Sequence, residues 1–432
     1  MIWNEQIECM SSNEMRKLQS ERLIELVNRV YQNVEFYRIK MDEKGVKPSD
    51  IRSIDDISKL PFTNKTDLRD NYPFGLFAAP MKEIVRIHAS SGTTGKPTTV
   101  GYTKKDIENW QEALARCLTM SGVSSEDIVQ VSFGYGLFTG GLGIHYGAEN
   151  VGCTVIPISA GNTRRQLQLM SDFGSTVLAC TPSYALHLAD ALAEYGYSLS
   201  DMKLKTGVFG AEPFSENMRL ELEKKWGIKA FDIYGLSEIM GPGVANDCEF
   251  HDGLHIHEDL FFPEVVDPKT KEPLPDGRQG ELVFTTLTKE GIPLLRYNTH
   301  DLTTLNREKC ECGRTLVRMK KITGRSDDML IIRGVNLFPS QIEQVLLEMG
   351  ETSAHYMLYV DRENNLDILE LKVELDESKM VDTIKDLMSL SRKIEHSLHS
   401  ALGLSVKVTL VEPKSIPRSE GKAVRVIDNR KI

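Results

Sequence analysis

Two stretches of the 432-residue chain carry residue types suited to chemistry on a nucleotide. In Ser90-Ser91-Gly92-Thr93-Thr94-Gly95-Lys96-Pro97, glycine permits conformations closed to other residues, so backbone N–H groups can converge on an anion. Four hydroxyls and Lys96 add donors and a positive charge. A Walker-type loop is excluded by spacing, because only two residues separate Gly92 from Gly95-Lys96 and Pro97 follows the lysine. In Tyr234-Gly235-Leu236-Ser237-Glu238, a ring able to stack on a base precedes a hydroxyl for phosphate or carboxylate and a hard oxygen ligand for Mg2+. Asp301, in the stretch Arg296-Tyr297-Asn298-Thr299-His300-Asp301-Leu302 that follows the strand read over Gly280–Thr285, has two oxygens for the two ribose hydroxyls.

A third group of residues points to metal. Cys248, Cys310 and Cys312 with His251, His255 or His257 would offer zinc the sulfur and imidazole it prefers, as a closed structural site. The spacing is not that of a standard finger, so only folding that brings residue 248 near 310 assembles it. The other reading is three reduced cysteines. Seven cysteines, an odd number scattered over the chain, fit a reducing compartment better than a disulfide framework.

These groups need elements to hold them. Ile84–Ile87 reads as a strand entering the glycine loop, where nucleotide loops in α/β proteins sit. Lys104–Thr119 reads as a helix with Thr103 as N-cap. Strands at Ile128–Ser132, Cys153–Pro157, Thr176–Cys180, Thr206–Phe209 and Lys229–Ile233 alternate with helices at Arg164–Phe173 and Ser183–Tyr195, the pattern of a layered parallel α/β fold. Ligands then gather at the carboxyl ends of the strands. Five glycines among Phe133, Tyr135, Gly136 and Phe138 and on to His145 make poor helix and poor strand, and this run reads as pocket wall for a flat apolar ligand. Residues 13–41 have helical apolar spacing, and 51–62 reads as a short helix and turn.

The length implies two or three units at about 150 residues each. Residues 328–432 alternate strands and helices again and suffice for a small domain. A net charge of −10 argues against nucleic-acid and anionic-membrane partners. No signal peptide is evident at the N-terminus, and no run reaches the roughly 20 apolar residues that span a bilayer, so a cytoplasmic location is expected.

The glycine loop, with Tyr72-Pro73-Phe74-Gly75, His88-Ala89 and Tyr102-Thr103 around it, resembles the phosphate-binding signature of the adenylate-forming superfamily, and within it the phenylacetate-CoA ligase family. The resemblance runs over nearly the whole chain. It implies a large layered domain, residues 1–326, and a small mobile lid, 327–432, hinged at Asp327. It implies ATP, Mg2+ and CoA as cofactors and an aryl acid as substrate, bound near Phe133, Tyr135, Gly136 and Phe138. Gly210-Ala211-Glu212-Pro213 resembles the adenine-contacting turn. Asp232, Tyr234, Gly235 and Ser237 match nucleotide positions, Asp301 the ribose ligand, Arg325 a nucleotide contact, and Lys422 the catalytic lysine, with Glu238 on Mg2+. Metal-bearing members resemble this chain in Cys248, a His in Gly253-Leu254-His255, and Cys310-Glu311-Cys312, which implies structural zinc. In one departure, His300 precedes Asp301 where relatives commonly show Arg or Gly.

The expected activity is ATP-dependent ligation of an aryl acid, phenylacetate or a relative, to CoA with release of AMP and pyrophosphate. Two rivals stand beside it: an adenylating enzyme that loads a carrier protein, and a non-catalytic nucleotide or acyl-CoA sensor. The sensor reading sits badly with a chain that keeps Lys96, Glu238, Asp301, Arg325 and Lys422. The sequence leaves the oligomeric state open, with a homodimer as the candidate assembly.

Overall fold

A computed structural model describes residues 1–90, 97–327, 330–332, 335–363, 366–376, 384–417 and 424–430. The alternation read from the sequence becomes a sheet in which Thr154–Ile156, Ile128–Val131, Val177–Cys180, Thr206–Gly210 and Lys229–Leu236 lie side by side and parallel. Strands covered on both faces have to be apolar throughout. Val177–Cys180 is buried at every position. Beyond Lys229–Leu236 the sheet continues antiparallel through Gly241–Asp247, Leu254–Ile256, Arg318–Met319 and Leu305–Asn306. That extension brings residues near 250 beside residues near 310.

The helix Lys104–Met120 begins at a reciprocal cap, in which the Thr103 hydroxyl accepts from Asp106 N and the Asp106 carboxylate accepts from Thr103 N. The predicted helix over Ser183–Tyr195 stops at Ala191 and continues as a short 3-10 turn over Ala193–Tyr195. The glycine-rich wall is the larger correction, because Gly140–Val151 is an α-helix. Its glycines are demanded by close approach. A Cβ on Gly143 would lie 2.6 Å from the Trp110 ring, and one on Gly147 would lie 2.2 Å from Leu114 Cβ. Packing against Lys104–Met120 overrides the poor helix propensity of glycine.

A second, antiparallel sheet of Phe261–Val266, Gly280–Thr286, Tyr297–Thr303 and Gly324–Arg325 shares its apolar core with the first, through Phe261, Phe284 and Tyr297 beside Ile239 and Val244. The N-terminal helices Ser12–Asn33 and Glu35–Glu43 press Leu23, Val27, Val30 and Tyr37 into the same core. Residues from 330 onward build their own core, with Ile332, Leu337, Ile342, Leu358, Leu371, Ile394 and Leu398 between a four-stranded sheet and the helices Pro339–Met349 and Ile384–Leu402. No helix among the described residues is long and apolar enough to cross a membrane.

Gly147→Ala is expected to lower the melting temperature. Overpacking of this kind costs about 1–3 kcal/mol, against roughly 1 kcal/mol that alanine gains over glycine in a free helix. A raised melting temperature by calorimetry would mean that the two helices do not meet this closely.

Candidate active site

The carboxyl ends of the parallel strands and the edge of the second sheet meet at one aspartate. Asp301 pairs in register with Arg325 across neighbouring strands. The Tyr234 hydroxyl donates to Asp301 Oδ2 at 2.5 Å, and Arg325 Nη1 donates to Asp301 Oδ1 at 3.2 Å. Arg325 also holds Asp327 with two hydrogen bonds of 2.9 Å. Burial opposes ionisation of Asp327, but the guanidinium keeps its carboxyl below the usual range. His300 adopts φ +63° and turns its Nδ1 toward Ser326 Oγ at 3.2 Å and Glu281 Oε1 at 3.3 Å, so it braces Ser326.

Gly210-Ala211-Glu212-Pro213 follows the end of the neighbouring strand. A Cβ on Gly210 would strike the Ile233 carbonyl oxygen at 2.2 Å, and Ala211 has φ +68°, so this turn is tightly shaped. The Glu212 carboxylate accepts from Ser183 N at 3.2 Å and Ser183 Oγ at 2.9 Å. Asp232 lies one strand position before Ile233 in the same layer, where burial and the neighbouring Asp247 push its carboxyl up to about 8.

Glu238 sits 4% exposed in the turn that follows Tyr234. The Ser237 hydroxyl lies 3.1 Å from that of Thr139, and Lys65 Nζ lies 3.4 Å from Glu238 Oε1. A buried carboxylate is a hard oxygen donor of the kind Mg2+ takes together with water and phosphate. Lys65 was invisible to sequence reasoning. It lies in the short helix Lys65–Asp70, within a segment given no chemistry, and nothing in its spacing set it apart.

Of the glycine loop, Ser90 is described and Ser91, Gly92, Thr93, Thr94, Gly95 and Lys96 lie outside the described residues, as does Lys422. The expected strand before the loop is Ile84–Ala89, and it pairs antiparallel with Thr99–Thr103, a strand that the sequence reading did not assign. Its two ends are tied by Ser90 Oγ and Thr98 Oγ1, 2.6 Å apart, and by Ser90 N donating to Thr98 O at 3.0 Å.

Along the run read as pocket wall the rings divide. Phe133 is buried in the main core, and Phe138 is 50% exposed. Tyr135 lies between, its hydroxyl 3.1 Å from His145 Nδ1, with His145 Nε2 3.1 Å from Glu149. Gly136 takes φ +101° beside it.

The antiparallel extension brings Cys248, His255, Cys310 and Cys312 together, with their ligand atoms all within 4.8 Å of one another. Cys248 and Cys310 Sγ are 3.8 Å apart, and Cys312 Sγ is 3.5 Å from His255 Nε2. Tetrahedral zinc with its usual bond lengths requires edges of about 3.8 Å for S···S and about 3.5 Å for S···N, so the residues fit the ion. The alternatives are turned elsewhere: His251 Nδ1 is 2.6 Å from Asp247, and His257 Nε2 is 3.3 Å from Cys117 Sγ.

The chain is similar over its length to known proteins. The AMP-binding enzyme profile matches residues 34–287, and the AMP-binding enzyme C-terminal domain matches 334–430. A phenylacetate-coenzyme A ligase of Thermus thermophilus is 51% identical, with 100% of each chain covered. A 2-hydroxyisobutyryl-CoA ligase in the postadenylation state, in complex with R3-HIB-AMP, superposes with a TM-score of 0.94 at 31% identity, covering 99% of this chain and 92% of that one. The same ligase in its thioesterification state, with 2-HIB-AMP and CoA, gives a TM-score of 0.74 at 32% identity, covering 100% and 93%. A shared fold, two matched domain families and full-length identity to a known ligase together make this chain a member of the AMP-binding enzyme family and, within it, of the phenylacetate-coenzyme A ligases.

Proposed function

We propose that this protein ligates an aryl carboxylate, phenylacetate first among them, to CoA through an acyl-adenylate, releasing AMP and pyrophosphate. The carrying observation is the meeting of Tyr234, Asp301 and Arg325 beside Ser237 and Glu238, in a chain 51% identical over its whole length to a phenylacetate-coenzyme A ligase.

Tyr234 and the turn Gly210–Pro213 hold the base, Asp301 takes the ribose hydroxyls and Arg325 reaches the nucleotide from the other side. Ser90–Lys96 wrap the phosphates with backbone N–H groups. Tyr135 borders the aryl group. A carboxylate oxygen attacks the α-phosphorus and the bond to pyrophosphate breaks, while Lys422 and Lys65 offset the charge that builds between two anions. Mg2+, held by Glu238 when bound, supplies further neutralisation of the phosphates. Exclusion of water protects the mixed anhydride. The CoA sulfur then attacks the acyl carbon and AMP leaves.

Residues 327–432 act as the lid, pivoting at Asp327 between these steps. The separate core from 330 onward supports that division, and the TM-scores of 0.94 and 0.74 support an arrangement of postadenylation type. A chain with seven free cysteines suits a reducing cytoplasm, and a role in the breakdown of aromatic acids follows from the substrate. Cys248, His255, Cys310 and Cys312 would hold a structural zinc that staples the antiparallel part of the first sheet to the segment around Cys310.

Purified protein should release pyrophosphate with phenylacetate far faster than with aliphatic acids of similar size, and should form thioester with CoA alone, no carrier protein added. Lys422→Ala should slow adenylate formation by about 10²–10³-fold while changing thioester formation from supplied acyl-adenylate by less than about threefold; equal loss in both steps would remove the lysine from its assigned role. Metal analysis should find about one zinc per chain, lost in Cys312→Ser with a lower melting temperature. Metal-free protein whose Cys310 and Cys312 alkylate readily in the native state would contradict the staple.

A further inference from the structure

The turn that carries Glu238 is held by three buried side chains that no function has yet claimed. Within the turn, Ile239 N and Met240 N both donate to Leu236 O at 3.1 Å. Its outward carbonyls are then taken in succession. Lys289 Nζ donates to Ile239 O at 2.8 Å, the Tyr102 hydroxyl to Met240 O at 2.9 Å and Trp110 Nε1 to Pro242 O at 2.8 Å. All three donors are 2% exposed or less.

The donors also brace one another. Tyr102 and Trp110 stack with centroids 5.2 Å apart at 18°, and the Lys289 ammonium sits 4.3 Å above the Tyr102 ring. His88 stands edge-on against both rings and ties them, through Nδ1 at 3.0 Å from Leu137 O, to the segment flanking the acyl pocket. Asp106 accepts from Glu290 N at 2.8 Å and Gly291 N at 2.9 Å, which fixes the loop that bears Lys289. There is no slack on the turn's side. Gly241 has φ +104°, and a Cβ there would strike Trp110 at 2.6 Å and Thr139 at 2.7 Å.

A buried ammonium is a costly way to fill a core position that leucine or methionine could occupy. Among the described residues it makes no ion pair within 4.0 Å, and the acids whose charge favours it are Asp106 and Glu238. Its cost makes sense if the position of the turn matters more than the stability forgone.

We propose that Lys289, Tyr102 and Trp110 form a carbonyl clamp that fixes Glu238 for the divalent cation of the bound nucleotide, with Lys289 and Tyr102 as positioning residues. This rests on the reading of Glu238 as the cation's ligand. The carboxylate stands one residue before the first clamped carbonyl, so a loosened clamp lets the ligand drift while the base, ribose and acyl contacts stay in place. The signature is a selective weakening toward the cation.

Three variants test it: Tyr102→Phe, which keeps the ring, Lys289→Met, which keeps the volume, and Glu238→Gln. The readouts are the Mg2+ concentration at half-maximal ATP–pyrophosphate exchange, the KM for phenylacetate, calorimetric affinity for ATP with and without Mg2+, and melting temperature. Tyr102→Phe should raise the half-saturating Mg2+ about three- to tenfold, and Lys289→Met about tenfold or more, with the phenylacetate KM within about twofold of wild type. Affinity for ATP without Mg2+ should hardly change. An unshifted Mg2+ dependence in folded Tyr102→Phe, with Glu238→Gln strongly shifted, overturns the clamp and leaves the Glu238 reading intact. No shift in Glu238→Gln removes that reading and the clamp's purpose with it. Should Lys289→Met fail to fold, Tyr102→Phe decides alone.

Discussion

Asp301 is where the two large sheets are made to agree. Its two oxygens take the Tyr234 hydroxyl from the end of the parallel sheet and the Arg325 guanidinium from the edge of the antiparallel one. A carboxylate 5% exposed needs such partners, because an unpaired buried charge would cost several kcal/mol. Arg325 in turn grips Asp327, three residues before Leu330 at the start of the C-terminal core. Tyr234, Asp301, Arg325 and Asp327 are therefore parts of one hydrogen-bonded chain that links the end of the parallel sheet to Asp327. His300 and Ser326, both beside Glu281, brace the same segment from behind.

Much of this was legible from residue types. The alternation of short apolar strands with helices specified the parallel layer, and the Thr103 cap marked the start of Lys104–Met120. The failures have physical causes. The run from Phe133 to His145 was read as poor helix because propensity counts glycines against one, whereas in the helix that starts at Gly140 Trp110 and Leu114 occupy the space that glycine side chains would need. Thr99–Thr103 was left unassigned between the glycine loop and the helix at Lys104, yet it returns beside Ile84–Ala89, a pairing that a five-residue strand barely signals. Lys65 and Lys289 were missed since a single lysine carries no period; only the fold shows one at Glu238 and the other beneath its turn.

The cysteine cluster shows the opposite case. Residue types announced a metal, but the separation of Cys248 from Cys310 left both assembly and the choice of histidine to the fold. The antiparallel continuation of the first sheet decides both, by pairing His255 with Arg318 and so laying Leu254–Ile256 beside the segment that follows Cys312. The cluster belongs to the antiparallel part of the sheet, where His255 pairs with Asn246 and Asn246 with Ile233, while Tyr234, Ser237 and Glu238 follow at the end of Lys229–Leu236.

The direct test of a carboxylate activated through AMP is to follow its oxygen. With phenylacetate labelled in both carboxyl oxygens with 18O, one labelled atom should appear in the phosphate of AMP at each turnover, with none in pyrophosphate. Label in inorganic phosphate with ADP as the other product, or thioester formed with unlabelled AMP, would contradict it.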